Sequence, residues 1–313
     1  MTVHRLAPPT ADPTLGQAIA SYLDQLIGPE TAGTRRVYAG TLAALAAELG
    51  PQTPLSAFEQ AGGSERITAW FVSRWGPRAP ATFNRNLDAL RSATAYWRAQ
   101  DWIATDPSTG LRRRGRAPDR TRALSISQIE TLLTRPDLGL REKTLWRLLY
   151  ETAARAGEVL ALDVPDLDLR NRRAKVRRKG GAADIIVWQT GTARLLPRLL
   201  DGRRTGPVFC THRAARIPLA PADLDLDSGR ARLSYRRAAE LFTHVTSAMA
   251  GGPWTLHQLR HSALTHAAEA GANTSTLLSY SGHTSVTSLA RYTRVSPDAL
   301  ARWQNDRDPA RRR

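Results

Sequence analysis

The sequence predicts a mostly α-helical protein of two domains: a four-helix N-terminal domain, then a mixed α/β domain with a small antiparallel sheet. Three observations carry this expectation. Four consecutive segments before residue 104 have apolar residues at helical spacing, an Arg-rich stretch without that periodicity follows them, and one alternating stretch, 173–188, lies among further helical segments.

The helical spacing covers 14–27, 31–49, 64–75 and 79–102, behind a Pro-rich leader. Gly28, Gly50 and Gly76 stand just past the first three segments, where a helix C-terminus favours glycine. Residues 14–104 are thus expected to form the first domain. The stretch LRRRGRAPDRTR (111–122) holds six Arg with one Asp, one Gly and one Pro, so 105–123 reads as a basic linker. The second domain, 124–313, opens with helical spacing over 127–133 and 142–152. Residues 173–188 then read as two strands around a turn at Lys179-Gly180-Gly181. The following 207–232, rich in Pro, Arg and Asp, reads as an irregular excursion, and helices resume from about Tyr235. No internal repeat is evident, and Arg311 to Arg313 read as a basic tail.

A chain of 313 residues with 42% hydrophobic content can bury one large core or two ordinary ones. Its 45 Lys and Arg against 28 acids give a net charge of +17, which favours a polyanionic partner, nucleic acid first. The excess is uneven: residues 1–104 hold 9 Arg and 8 acids, leaving 36 bases and 20 acids for 105–313. Most backbone contacts are therefore expected from the second domain. Only Lys143, Lys175 and Lys179 are lysines. The single cysteine, Cys210, excludes an internal disulfide and a multi-cysteine zinc site and fits a reducing compartment. Without an apolar run of about 18 residues or an apolar signal core, a soluble cytoplasmic protein with no membrane partner is expected.

The strongest local signal is TLHQLRHSALTHAAEAG, 255–271. Thr255 and Gln258 have capping-box spacing and Gly271 closes the segment, so a helix should start just before His257. His257 and Arg260 then share one face beside a helix N-terminus, a position that favours anions. Of seven His (His4, His212, His244, His257, His261, His266 and His283), His257 and His261 are four apart. They lack a zincin's intervening Glu and an evident third ligand, so no metal site is expected.

Matching pieces stand elsewhere. ETAARAGEVLAL (151–162) supplies Arg155 and Glu158, RRKGG supplies Lys179, and YSGHTSVTSLARYTRV (280–295) supplies His283 and, nine residues on, Tyr292. In these residues the chain resembles the tyrosine recombinase (phage integrase) family, whose signature is an Arg, a hairpin Lys, a His-x-x-Arg, a His or Trp, and a Tyr nucleophile. The resemblance implies a catalytic set of Arg155, Lys179, His257, Arg260, His283 and Tyr292, with Glu158 as the acidic companion of the first Arg. It covers about 14–300, with specific motifs only in the second half. TAGTRRVYAGTL (31–42) and ATFNRNLDALRS (81–92) resemble the helices with which the family's core-binding domain grips DNA. Thr34, Arg35, Tyr38, Asn84, Arg85 and Arg91 are thereby candidate DNA contacts. Two neighbours of the signature depart from the family's habit: Ala153 stands where Gly is frequent, and Ser281 precedes Gly282-His283 where Leu is usual.

The chemistry accounts for the residue types. A tyrosine oxygen attacking a DNA phosphodiester forms a 3′-phosphotyrosyl link and releases a 5′ hydroxyl, conserving the bond energy so that rejoining needs no ATP or other cofactor. Two forked guanidiniums suit the charge on the non-bridging oxygens. A lysine can protonate the leaving oxygen as an arginine cannot, which marks Lys179 as candidate general acid. The resemblance gives His257 as acceptor of the phenol proton and His283 as donor to a phosphate oxygen, and the sequence by itself does not separate these two roles. The family's assembly, a homotetramer on two duplex sites exchanging strands through a Holliday junction, comes with the resemblance, and it leaves room for an accessory directionality protein. The competing readings are a type IB topoisomerase that relaxes DNA as a monomer, and a catalytically idle DNA-binding protein of the same fold.

Overall fold

Helix formation in the first ninety residues follows from apolar residues that return to one side every three to four positions. The computed structural model describes residues 12–28, 31–115, 123–178, 181–283, 285–289, 292 and 297–305. It divides into two units, Met1–Asp119 and Arg120–Arg313.

In the first unit, α1 (Leu15–Gln25), α2 (Ala32–Leu49), α3 (Gly63–Trp75) and α4 (Pro80–Ala99) enclose a core that includes Leu15, Ile19, Leu42, Leu45, Phe71, Leu87 and Trp97. Thr14 caps α1 in a capping box with Gln17. Polar groups inside this core are paired: Thr41 donates to Asn86 across α2 and α4 at 2.6 Å, and the Trp97 indole donates to Ala18 O at 3.1 Å. Gly50 ends α2 at φ +91°, a left-handed conformation that glycine adopts without a steric penalty. Gly76 has an ordinary φ of −54°, and its requirement is space, since a methyl there would stand 2.2 Å from Val72 O.

Residues 105–115, expected as the start of a linker, pack into this unit. Leu111 is buried in the core, and its carbonyl accepts from Arg91. Asn84 donates to Arg114 O and accepts from Arg114 N, both at 2.8 Å, while the Arg114 guanidinium lies 4.0 Å from the centre of the Phe83 ring. One buried leucine and a paired backbone suffice to hold a segment that the Arg-rich composition marked as solvated.

The second unit runs α5 (Ile126–Thr134), α6 (Leu140–Thr152), α7 (Ala156–Leu160), β1 (Leu167–Asp168), β2 (Arg173–Arg177), β3 (Ala183–Val187), α8 (Thr190–Leu200), β4 (Cys210–Ala214), β5 (Leu224–Asp225), β6 (Arg230–Arg232), α9 (Tyr235–Thr246), α10 (Leu256–Glu269), α11 (Thr274–Ser281) and α12 (Pro297–Asn305). Its main core joins α5, α6, α8 and α9 to the inner face of an antiparallel sheet ordered β1-β2-β3. A smaller cluster under α10 and α11 holds Ala153, Ala263, Leu264, Ala268, Leu277, Leu289 and Tyr292.

The expected irregular excursion at 207–232 is a second antiparallel sheet, ordered β4-β6-β5. It repeats part of the first. Asp166-Leu167-Asp168-Leu169 and Asp223-Leu224-Asp225-Leu226 each start on the last residue of a short 3-10 turn, and each strand returns through Arg-Ala: Leu167 pairs with Ala174 as Leu224 pairs with Ala231. The turn needs one left-handed residue, Arg172 (φ +54°) in one copy and Gly229 (φ +66°) in the other. Two of its strands span only two or three residues and β4 has no alternation of buried and exposed positions, which is why the repeat and the sheet escaped a reading by periodicity.

Candidate active site

α6 ends at Ala153, whose φ of +49° turns the chain left-handed and directs it into α7, where Arg155 is the N-cap. Left-handed backbone costs a non-glycine residue about 1–2 kcal/mol, so the frequent Gly at this place in the family has a physical reason, and this chain carries the strain instead. Three residues on, Glu158 takes the Arg155 N–H on Oε2 at 3.0 Å and its guanidinium on Oε1 at 2.7 Å. Glu158 is buried, while the Arg155 side chain, held by Glu158 at its backbone N–H and at Nη1, is 39% exposed.

α10 begins as the sequence predicts: Thr255 is its N-cap, and Thr255 N–H donates to Gln258 Oε1 at 2.8 Å. His257 is exposed on the first turn, and Arg260, one turn later, is 3% exposed. The Arg260 fork binds three parts of the site. Nη1 donates to Ala153 O, and Nη2 donates to Ser281 O at 2.8 Å and lies 3.2 Å from His283 Nε2. Burial, and next the like charge of Arg155, push the Arg260 guanidinium down to about 10, with Tyr292 and Glu158 pulling the other way. It still carries its charge at neutral pH.

α11 stops at Gly282, left-handed at φ +60°, and His283 follows with its N–H on Ser281 Oγ at 3.2 Å. Ser281, unusual for the family, is therefore fully buried as a turn brace. The His283 ring lies parallel to Tyr292 (centroids 6.2 Å, 17°), and His261 meets Tyr292 edge-on at 5.1 Å. Tyr292 is 3% exposed, within the cluster under α10 and α11. Tyr280, which with Tyr150 packs on the same cluster, donates its hydroxyl to Glu151 O at 3.0 Å and Tyr150 O at 3.2 Å, and burial pushes its phenol well above the ordinary tyrosine value. A phenol so engaged is a brace and a poor nucleophile.

The structure thus brings together Arg155, Glu158, Arg260, His283 and Tyr292 from segments far apart in the chain, with His257 on the helix that carries Arg260. Lys179 and Gly180 lie outside the described residues, in the connection between β2 and β3. A further residue that sequence reasoning missed is Arg178, buried with its Nη1 on Glu158 Oε2 at 2.6 Å and its Nε on Asp184 Oδ2 at 2.8 Å. Its signal was present: in β2, Ala174 and Val176 point inward, and the same alternation continued by two residues turns Arg178 inward.

In the first unit the candidate DNA contacts separate. Arg35 and Arg85 are exposed, and Thr34 and Tyr38 are half-buried, Tyr38 stacked on Tyr22 at 6.5 Å. Asn84 and Arg91 are occupied in holding residues 111–114. Among the described residues no group of His, Cys, Asp and Glu is arranged to hold a metal ion, and no helix is long and apolar enough to cross a membrane.

Residues 122–298 match the Phage integrase family. The tyrosine recombinase XerC of Mycobacterium leprae is 30% identical over 283 residues, covering 85% of this chain and 90% of that protein. XerC of Mycobacterium tuberculosis is 29% identical over 296 residues, 90% and 95% of the two chains. Among solved structures, the Tn1549 transposon integrase in complex with transposon right end DNA superposes with a TM-score of 0.65 at 19% identity, over 94% of this chain and 99% of that one. A lambda integrase dimer bound to a core site gives 0.65 at 17% identity, over 90% and 77%.

Proposed function

Since the chain belongs to the phage integrase family, and is a tyrosine recombinase that breaks and rejoins DNA in site-specific recombination, we propose that Tyr292 is its nucleophile and that Arg155, Lys179, His257, Arg260 and His283 activate the scissile phosphate. One observation carries this assignment. The guanidinium of Arg260 binds the turn beside Arg155, the end of α11 and His283, and the His283 ring lies nearly parallel to Tyr292, with centroids 6.2 Å apart. Arg260 thereby links the turn that carries Arg155 to His283 and, through His283, to the Tyr292 ring, on a helix whose N-terminal backbone N–H groups favour an anion.

In the proposed reaction the Tyr292 oxygen attacks phosphorus in line with the 5′ oxygen. The new P–O bond forms as the P–O5′ bond breaks, His257 takes the phenol proton, and Lys179 gives a proton to the departing oxygen. Arg155, oriented by Glu158, and Arg260, oriented by two carbonyls, neutralise the non-bridging oxygens in the pentacoordinate transition state. Attack by the freed 5′ hydroxyl of a second strand reverses these steps and restores the phenol. Tyr292 is buried here, so DNA engagement must draw it toward the phosphate.

The partner in this reading is double-stranded DNA, and the working assembly is a homotetramer on two sites. Support comes from α12, whose Leu300 and Trp303 are 51% and 46% exposed: an apolar pair on a short helix, suited to burial against a second copy. Trapping the protein on nicked suicide substrates built from the DNA flanking its gene tests the nucleophile. Tyr292→Phe should bind this DNA but form no covalent adduct, while Tyr280→Phe should form one; the reverse pattern would move the nucleophile to Tyr280.

A further inference from the structure

Arg178 has no part in the scheme above, yet it is one of three buried arginines among the described residues, with Arg141 and Arg260. Burying a guanidinium costs several kcal/mol unless its partners are well placed. Arg178 is held at every level. Its N–H donates to Ala182 O at 2.8 Å, its carbonyl accepts from Gly181 at 3.0 Å, and its side chain spans Glu158 and Asp184. The guanidinium packs against Gly282, where a methyl group would stand 2.3 Å from Cζ and 2.5 Å from Nη2. Nη2 is buried against this glycine and has no hydrogen-bond partner among the described residues. One flat side chain therefore touches the carboxylate that holds Arg155 and the corner from which His283 leaves α11.

We propose that Arg178 is a positioning residue for phosphate activation, locking Glu158, and through it Arg155, to the Gly282–His283 corner. The inference rests on the roles assigned above to Arg155 and His283. Glu158 shares its Oε2 between the Arg155 N–H and Arg178, and its Oε1 holds the Arg155 guanidinium. Without Arg178 the carboxylate keeps, among the described residues, only Arg155 as partner, and the half-exposed guanidinium loses its fixed anchor. At the same time the Gly282 turn loses the surface that sets its height. Sub-ångström placement of both groups on one phosphate is what the chemistry requires.

The test uses full-length Arg178→Ala and Arg178→Lys at saturating DNA, with single-turnover adduct formation read on two substrates. One has the ordinary phosphodiester; the other has a methylphosphonate at the scissile position, which removes the charge that Arg155 stabilises. Arg178→Ala should cleave the phosphodiester about 10- to 100-fold more slowly with DNA affinity unchanged, the range for a displaced catalytic group, and lose much less on the methylphosphonate. Arg178→Lys keeps a cation between the two carboxylates, which protects the fold, but lacks the flat fork, so it should show the same selective loss. Equal losses on both substrates, or a wild-type rate on the phosphodiester, would overturn the proposal. Tyr292→Phe separates the two levels: an adduct there would overturn the site assignment and this inference with it, whereas no adduct there, together with undiminished cleavage by Arg178→Ala, would overturn this inference alone.

Discussion

Arg260→Met separates the bracing that Arg260 performs in this structure from the catalytic role proposed for it. The substitution keeps the length of the side chain and removes its donors from two carbonyls, Ala153 O and Ser281 O. Each buried acceptor left without a donor costs about 1–3 kcal/mol, so the gross loss is about 2–6 kcal/mol. Against this, the variant no longer buries a cation that desolvation, and next the like charge of Arg155, bring down to a pKa of about 10. The offset leaves a net loss of roughly 2 kcal/mol, within what a domain of ordinary stability tolerates while staying almost fully folded. Cleavage should suffer far more: removing a donor aimed at transition-state charge costs about 100- to 1,000-fold. Urea unfolding measures the first effect and single-turnover adduct formation at saturating DNA the second. A destabilised variant that cleaves at the wild-type rate would reduce Arg260 to a brace, and a slow variant of undiminished stability would refute the bracing role of its two carbonyl contacts.

Ala153→Gly relieves left-handed strain of about 1–2 kcal/mol but gives up a buried methyl worth about 0.8 kcal/mol and adds about 0.5–1 kcal/mol of chain entropy to the unfolded state, so the urea midpoint should barely move. A loss above about 2 kcal/mol would show that packing against the Tyr292 cluster dominates. Burial pushes the His266 imidazole, which meets the Tyr150 hydroxyl at 2.8 Å, below its ordinary value. Its contribution to stability is therefore complete above about pH 6.5, the unfolded value, and is lost as pH falls below it. His266→Gln should flatten the decline in urea midpoint between about pH 7 and pH 5, and an unchanged slope would assign that decline to other groups. Trp303→Ala should leave binding to a single site intact and weaken pairing of two sites by about 2 kcal/mol, read by sedimentation of the paired complex; undiminished pairing would remove α12 from the interface.

Much of the fold was legible because its signals are local and periodic. Thr255 and Gln258 mark the start of α10 through one capping geometry, and the alternation of Ala174 and Val176 marks β2. What escaped depends on contacts between distant segments. Leu111 belongs to the core of the first unit only because α4 offers Arg91 and Asn84 to the backbone around it, and no pattern near Leu111 announces that. For the same reason Asn84 and Arg91, candidate DNA contacts by family resemblance, are occupied internally. In the site, the family's spacing pointed to Arg155, Arg260, His283 and Tyr292, whose residue types follow from phosphoryl chemistry. Arg178 escaped because its place is defined by Glu158, Asp184 and Gly282 together, three residues that only the folded chain makes neighbours.

The central claim, that Tyr292 carries the cut strand, is tested most directly by locating the covalent bond. A suicide substrate would trap the adduct, nuclease and protease digestion would reduce it to a nucleotide-bearing peptide, and mass spectrometry would place the phosphate on one side chain. The account predicts a 3′-phosphate ester on Tyr292 and a free 5′ hydroxyl on the released strand. A nucleotide on Tyr280 or on any other residue, or a released strand ending in a 5′ phosphate, would contradict it.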